Sequence, residues 1–293
     1  GVSSFTLQSV MEQSEALFAL SLEEKKSLSD PVLSRGYTGM QEETLDPGNQ
    51  TEGDTKEGFY IGRDIPESHA LYNPAKLRGP NQWPKAESLP KFRSAMEDYS
   101  NKLSALALRL VRLLALSLHL PKDFFDKSFE DPIATIRLLH YDCSLRSNPG
   151  KGIFGCGAHS DYGMITILLT DENPGLQLFT KNKEWINVPP IADAFVVNLG
   201  DMLERWTNGM YKSTLHRVLT LVNVEGTTGG SNFLPDRYSI PFFYDPGFDT
   251  SVECIQTCWD EKDNPKKYLP ITSGQHLLDK YSSTHADFKP SDC

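Results

Sequence analysis

A mainly β fold, a sandwich or barrel with helices packed on its outside, is what this sequence predicts, and three observations predict it. Beyond Pro132 the chain runs as short β-type segments separated by turn residues. Before it, apolar residues recur at helical spacing. The 293 residues, 39% of them hydrophobic, supply one large buried core in preference to two separate ones.

Taken in chain order, residues 7–20 place Leu7, Val10, Met11, Leu17 and Phe18 on one helical face. Ser21 followed by Glu24 has the spacing of a capping box that opens a second, short helix. Residues 31–79 are rich in Gly, Pro, Asp and Asn and read as loop lying over the surface or over a site, with a strand-like piece at 59–61. Residues 90–120 form one long helix or a helix pair whose apolar stripe needs a partner surface. Six β runs follow, at 134–141, 164–170, 176–180, 194–199, 213–222 and 237–244, with Gly226 to Ser231 as a flexible connection between two of them. The expected organisation is a helical and loop region over 1–130 packing on a β core over 131–293.

The formal charge of −10, with no dense Lys/Arg cluster, sets a phosphate backbone or an anionic membrane against net repulsion, so neither is an expected partner. The longest apolar stretch, 103–120, is interrupted by Ser104, Arg109, Arg112, Ser117 and His119 and reads as a core helix, not a membrane span. Residues 1–6 carry no signal-peptide pattern. The five cysteines (143, 156, 254, 258, 293) are odd in number and scattered, unlike a secreted disulfide framework. Cys254 and Cys258 lack a second Cys/His pair for zinc. A cytoplasmic protein with reduced thiols and no protein partner is the expectation.

The chemistry concentrates in His159-Ser160-Asp161, which ends a Gly-rich approach (Gly152, Gly155, Gly157). Positions i and i+2 of an extended segment point to one side, so imidazole and carboxylate can converge on one ion. His216 lies on a later strand that an antiparallel sandwich can bring alongside. Two histidines and one carboxylate leave positions open on a metal for a bidentate co-substrate and dioxygen. A His-x-Asp pair alone is better explained by a solvated loop pair and a satisfied core histidine. Arg237 and Ser239, again at i and i+2, add an Arg fork and a hydroxyl on one face, the elements of a carboxylate receptor.

The order His-x-Asp, His, Arg-x-Ser resembles the plant-type 2-oxoglutarate/Fe(II) dioxygenases of the isopenicillin N synthase fold family. The likeness extends to Pro174-Gly-Leu-Gln-Leu178, Trp185, Pro189, Asn198-Leu-Gly-Asp201, Asn208-Gly209, Tyr211-Lys-Ser-Thr-Leu-His-Arg217 and Arg237-Tyr-Ser-Ile-Pro-Phe-Phe243, over most of the chain. The resemblance implies a double-stranded β-helix, or jelly-roll, core. It implies His159, Asp161 and His216 as iron ligands, with Arg237, Ser239 and Tyr141 on the co-substrate. It also implies Fe(II), 2-oxoglutarate, O2 and ascorbate as reductant, with oxidation, foremost hydroxylation, of a small-molecule substrate and release of succinate and CO2. The chain departs from the family where Leu139 replaces a usual Asn, and it opens where family members have already completed a strand ending Asn-His-Gly. The start of the family domain is therefore expected to be missing, with a sheet edge left unpaired. His140 is read as structural, on the opposite face of its strand. Phe59, Tyr60, Tyr162 and Phe243 are candidate walls of the substrate pocket, each equally readable as a core aromatic. Three rivals stay open: an iron oxidase that does not use 2-oxoglutarate, a non-catalytic small-ligand-binding jelly-roll, and a zinc hydrolase.

Overall fold

The computed structural model describes residues 1–220 and 235–284. Its elements run α1 (Ser4–Phe18), α2 (Leu22–Lys26), β1 (Ser29–Asp30), β2 (Arg35–Thr38), β3 (Glu57–Ile61), α3 (Phe92–Ser117), β4 (Ile133–Tyr141), β5 (Cys156–His159), β6 (Ile165–Thr170) and β7 (Leu176–Phe179). They continue with β8 (Trp185–Asn187), β9 (Val196–Leu199), α4 (Asp201–Trp206), β10 (His216–Val218), β11 (Arg237–Asp245), β12 (Ser251–Val252), β13 (Ile271–Thr272) and α5 (Ser273–Thr284). The connection at 226–231, the end of the run expected at 213–222, and Cys293 lie outside the described residues.

Strands β4 to β11 make the jelly-roll. One sheet has the order β4-β11-β6-β9 and the other β5-β10-β7-β8, so that successive strands cross from sheet to sheet except at the β7–β8 hairpin, as a jelly-roll requires. Strands β3, β2 and β1 extend the first sheet beyond β4. That part of 31–79 is thus more ordered than loop composition suggested. Glu57 to Ile61 pairs register for register with His140 to Ile136, and such pairing is tertiary information that no local window carries.

The two-residue period of the strands divides the first sheet into two faces. Ile136, Leu138, Ile165, Ile167, Ile240 and Phe242 face outward into the main core, where α3 presents Met96, Tyr99, Leu103, Ala107 and Val111. The α3 stripe repeats every three or four residues, which keeps it on one side of the helix. Burying a Leu103-sized side chain contributes roughly 1.5–3 kcal/mol, and Ala107 is fully buried, so any larger residue there would overpack the seam between helix and sheet. The α2 capping box forms as its spacing predicts, with Ser21 and Glu24 capping each other's backbone. Residues 90–120 give a single helix. Among the described residues no helix is long and apolar enough to cross a membrane, and Cys143, Cys156, Cys254 and Cys258 are all free thiols.

Candidate metal centre and its two chambers

His159 ends β5 and His216 opens β10, and the antiparallel pairing sets the two directly opposite each other. Their rings stand 4.3 Å apart between centroids. Asp161, one residue past Ser160, brings Oδ1 to 3.9 Å from His159 Nε2 and 3.6 Å from His216 Nε2. One donor atom from each residue therefore gathers within 4.8 Å of the others, the arrangement the His-x-Asp spacing predicts.

The far sides of all three side chains are tied. His159 Nδ1 lies 2.9 Å from the Gly157 carbonyl, and His216 Nδ1 lies 3.0 Å from the Thr214 carbonyl. Each imidazole donates its Nδ1 proton there, which leaves the Nε2 lone pairs facing each other. Asp161 Oδ2 accepts from the Thr166 hydroxyl and from Asn198 Nδ2 at 2.5 Å, so Oδ1 remains for the centre. Burial pushes the Asp161 carboxyl up, but His216, His159 and these two hydrogen bonds outweigh it and hold the group below the usual carboxylate range. Burial, aided by His159, lowers the His216 imidazole and keeps it neutral. Two imidazole nitrogens turned inward plus an ionised carboxylate are the donor set of a divalent transition metal.

Two glycines are required by close approach. A Cβ on Gly157 would stand 2.1 Å from Gln50 Oε1, and one on Gly163 would stand 1.5 Å from Asp245 Oδ1. Gly157 lets the 46–54 segment press on β5, where its N–H donates to Asp54 Oδ1 at 2.8 Å. Gly163 lets the Asp245 carboxyl sit against the turn that follows Asp161.

Two chambers meet at this centre, and His159, Asp161, Arg137 and Phe243 line both. The first is floored by Arg237, Ser239, Tyr141 and Leu139, which β11 and β4 place as direct neighbours across the ladder, Arg237 opposite Tyr141 and Ser239 opposite Leu139. Arg237 Nη1 donates to Ser239 Oγ at 3.3 Å, and its guanidinium carbon lies 5.0 Å from the Tyr141 ring centre. Arg237 is buried, its Nε has no hydrogen-bond partner, and among the described residues no carboxylate lies within ion-pair distance. A buried guanidinium without a counterion is costly, and a carboxylate ligand is what resolves it. Leu139 takes the place where a polar side chain was expected, so this wall offers the ligand one hydrogen bond fewer.

The second chamber is lined by Tyr60, Tyr162, Phe243 and Asp245, with Leu277 and Tyr281 contributed by α5. Phe59 is elsewhere. Its strand neighbour Tyr60 faces the chamber, and the period of two turns Phe59 into the core, edge-on to Phe92 at 5.8 Å. His140 lies on the outer face, between Glu57 Oε1 at 2.8 Å and Asp236 Oδ2 at 2.9 Å. Sequence reasoning missed Thr166, Asn198, Glu43, Lys56, Arg137, Asp245 and Tyr281. Arg137 and Asp245 were open to discovery, being in register by twos with Tyr141 and with Ser239; Glu43 and Tyr281 gave no local signal.

A family model described as the 2OG-Fe(II) oxygenase superfamily matches residues 133–246, and one described as the non-haem dioxygenase in morphine synthesis N-terminal matches residues 1–86. The 2-oxoglutarate-Fe(II) type oxidoreductase hxnY of Emericella nidulans is 37% identical over 281 residues, covering 94% of this chain and 76% of its own length. The 2-oxoglutarate-dependent dioxygenase citB of Monascus ruber is 36% identical, covering 97% and 83%. Of solved structures, a full-length Neurospora crassa protein in complex with alpha-KG and thymine superposes with a TM-score of 0.80 at 29% identity, covering 96% of this chain and 84% of that one. JOX2 in complex with 2OG, Fe and JA gives 0.75 at 28% identity, covering 95% and 74%. The two relatives named here are fungal, so the plant-type qualifier is too narrow.

Proposed function

We infer, from the premise that this chain belongs to the 2OG-Fe(II) oxygenase superfamily, which residues carry the activity. The protein is a 2-oxoglutarate-dependent, Fe(II)-dependent oxygenase. In our reading His159, Asp161 and His216 hold the iron, and Arg237 and Ser239 grip the far carboxylate of 2-oxoglutarate over the Tyr141 ring. Tyr60, Tyr162 and Phe243 orient a small-molecule substrate in the second chamber. The observation that carries this reading is the convergence of three donor atoms at the boundary of two chambers, one of which holds a buried arginine with no counterion among the described residues.

When bound, iron and 2-oxoglutarate supply dioxygen-driven oxidation of a substrate C–H bond, with release of succinate and CO2. The chain does the rest. Thr166 and Asn198 fix the Asp161 carboxylate, and the Gly157 and Thr214 carbonyls fix the histidine tautomers. The aromatic walls exclude water from the second chamber. Residues 1–130 act as an outer region that packs on the jelly-roll of strands β4 to β11 and adds β3, with Tyr60, to the chamber wall. Thymine in the Neurospora crassa complex and JA in the JOX2 complex support a substrate of small-molecule size. The thiols fit a reducing compartment, in keeping with the cytoplasm.

The iron oxidase, binding-protein and zinc-hydrolase rivals leave the buried Arg237 or the relatives' use of 2-oxoglutarate unexplained. Anaerobic addition of Fe(II) and 2-oxoglutarate tests the reading: chelation needs two adjacent open positions, and a visible metal-to-ligand charge-transfer band is expected. Iron retained with no band would sink the assignment of Arg237 and Ser239 to the co-substrate.

A further inference from the structure

Four ionisable side chains, all more than nine-tenths buried, form a row: Asp54, Lys56, Glu43 and Arg137, with Lys56 lining the first chamber, Glu43 the second and Arg137 both. The Lys56 ammonium contacts the Asp54 carboxylate and lies 2.7 Å from Glu43 Oε2. Glu43 in turn takes the Arg137 guanidinium at 2.7 Å and 3.3 Å, through both of its oxygens. Arg137 also lies over the Tyr60 ring, 4.4 Å from its centre. Two cations and two anions cancel. Glu43 and Arg137 are the charged pair of this row that lines the second chamber, together with flat aromatic walls.

A carboxylate entering here would meet a guanidinium already served by Glu43, and it would sit as a second buried anion beside the first. An uncharged ring compound with a carbonyl or ring nitrogen meets no such penalty, and the aromatic walls suit its faces. Resting on the reading that this chamber takes the substrate, we propose that Glu43 is a specificity-determining residue. By neutralising Arg137 in the chamber wall, it selects an uncharged, planar, ring-containing substrate with a hydrogen-bond acceptor and rejects carboxylates. Specificity of this kind comes from an element that opposes the wrong ligand as much as from one that attracts the right one.

The test uses benzamide and benzoate, the same ring with and without charge, titrated calorimetrically into the anaerobic protein with Fe(II) and saturating 2-oxoglutarate, so that Arg237 is occupied. The wild type should bind benzamide at least about ten-fold more tightly than benzoate. Glu43→Gln leaves two cations against one anion, and should tighten benzoate by about ten-fold or more while moving benzamide little. Benzoate should also raise the Tm of this variant and not that of the wild type. The double variant Glu43→Gln with Arg137→Gln should lose the gain. Wild-type benzoate binding as tight as benzamide overturns the proposal, as does absence of benzamide binding, or a ratio that Glu43→Gln leaves unmoved. If Glu43→Gln does not fold, the wild-type ratio still decides. The charge-transfer band separates the two readings: with the band present, 2-oxoglutarate fills the first chamber and a ratio that depends on Glu43 reports on the second, whereas absence of the band counts against the co-substrate assignment.

Discussion

Two arginines lie buried along one floor of this barrel and are served in opposite ways. Arg237 stands at one end of β11, its charge met by no carboxylate among the described residues, with a serine hydroxyl and a tyrosine face for neighbours. Arg137, on β4, is clasped by both oxygens of Glu43. The two strands present their inward residues in sequence: Tyr141, Leu139, Arg137, Thr135 and Ile133 on one, Arg237, Ser239, Pro241, Phe243 and Asp245 on the other. The same sheet therefore carries one cation left for a ligand, in the first chamber, and one already paired, at the boundary of the two. Burying a charge costs several kcal/mol unless it is paired, so the end without a counterion is the end built for an anion.

Separating the chambers is the metal centre, and its removal has the largest expected effect. In His216→Ala the two remaining donors cannot hold a labile divalent ion in a defined geometry. Iron content of the purified variant should fall to background and turnover should vanish, while a circular dichroism spectrum like that of the wild type shows the fold intact. Normal iron and activity would remove His216 from the centre and leave the two chambers without a shared boundary.

Next comes a direct break of the comparison between the arginines. Arg237→Lys replaces a fork by a point charge and should raise the KM for 2-oxoglutarate about ten- to a hundred-fold, with iron retained. Arg137→Lys, whose partner is internal, should change that KM by less than about three-fold. Equal effects at both positions would show that the pairing seen in the fold does not sort the two ligands.

The parts of this site that were legible in the sequence are those that local period and motif control. The triad, Arg237 and Ser239 sit on extended segments where a spacing of two fixes a face, and the structure brings them together as that spacing requires. The same rule would have separated Tyr60 from Phe59, since adjacent strand residues cannot share a wall, and it would have found Arg137 from Tyr141. What could not be read is long-range. Glu43 reaches Arg137 across 94 positions of chain. Tyr281 arrives on α5, whose anchorage depends on Asp201 holding Lys280 at 3.0 Å and His276 at 3.2 Å. Pairing of β3 with β4 likewise turned a stretch of loop-like composition into ordered strand, because ladder partners and burial override local propensity.

The smallest expected effect concerns Asp245, at the opposite end of the floor from Arg237. Its carboxyl has no cation beside it among the described residues. One oxygen accepts from the Met164 N–H at 2.8 Å, and burial raises the group to about 7, with Met164 opposing and Asp161 adding to the rise. The folded-state value thus lies above the unfolded one, near 3.9. Folded protein binds this proton more tightly, so the stabilisation is complete below the unfolded value and is lost as pH rises toward and through about 7. Asp245→Asn keeps an acceptor for Met164 and cannot ionise. In the metal-free protein, the stability of the variant relative to wild type should increase with pH across this window, by about 1 kcal/mol between pH 6 and pH 7. Urea unfolding at several pH values measures it. Parallel stability curves would mean that Asp245 is already charged at pH 6, and that this chamber carries a fixed negative charge in addition to the paired Glu43. Curves that converge as predicted toward low pH would leave the Glu43–Arg137 pair as the charge that an entering substrate meets.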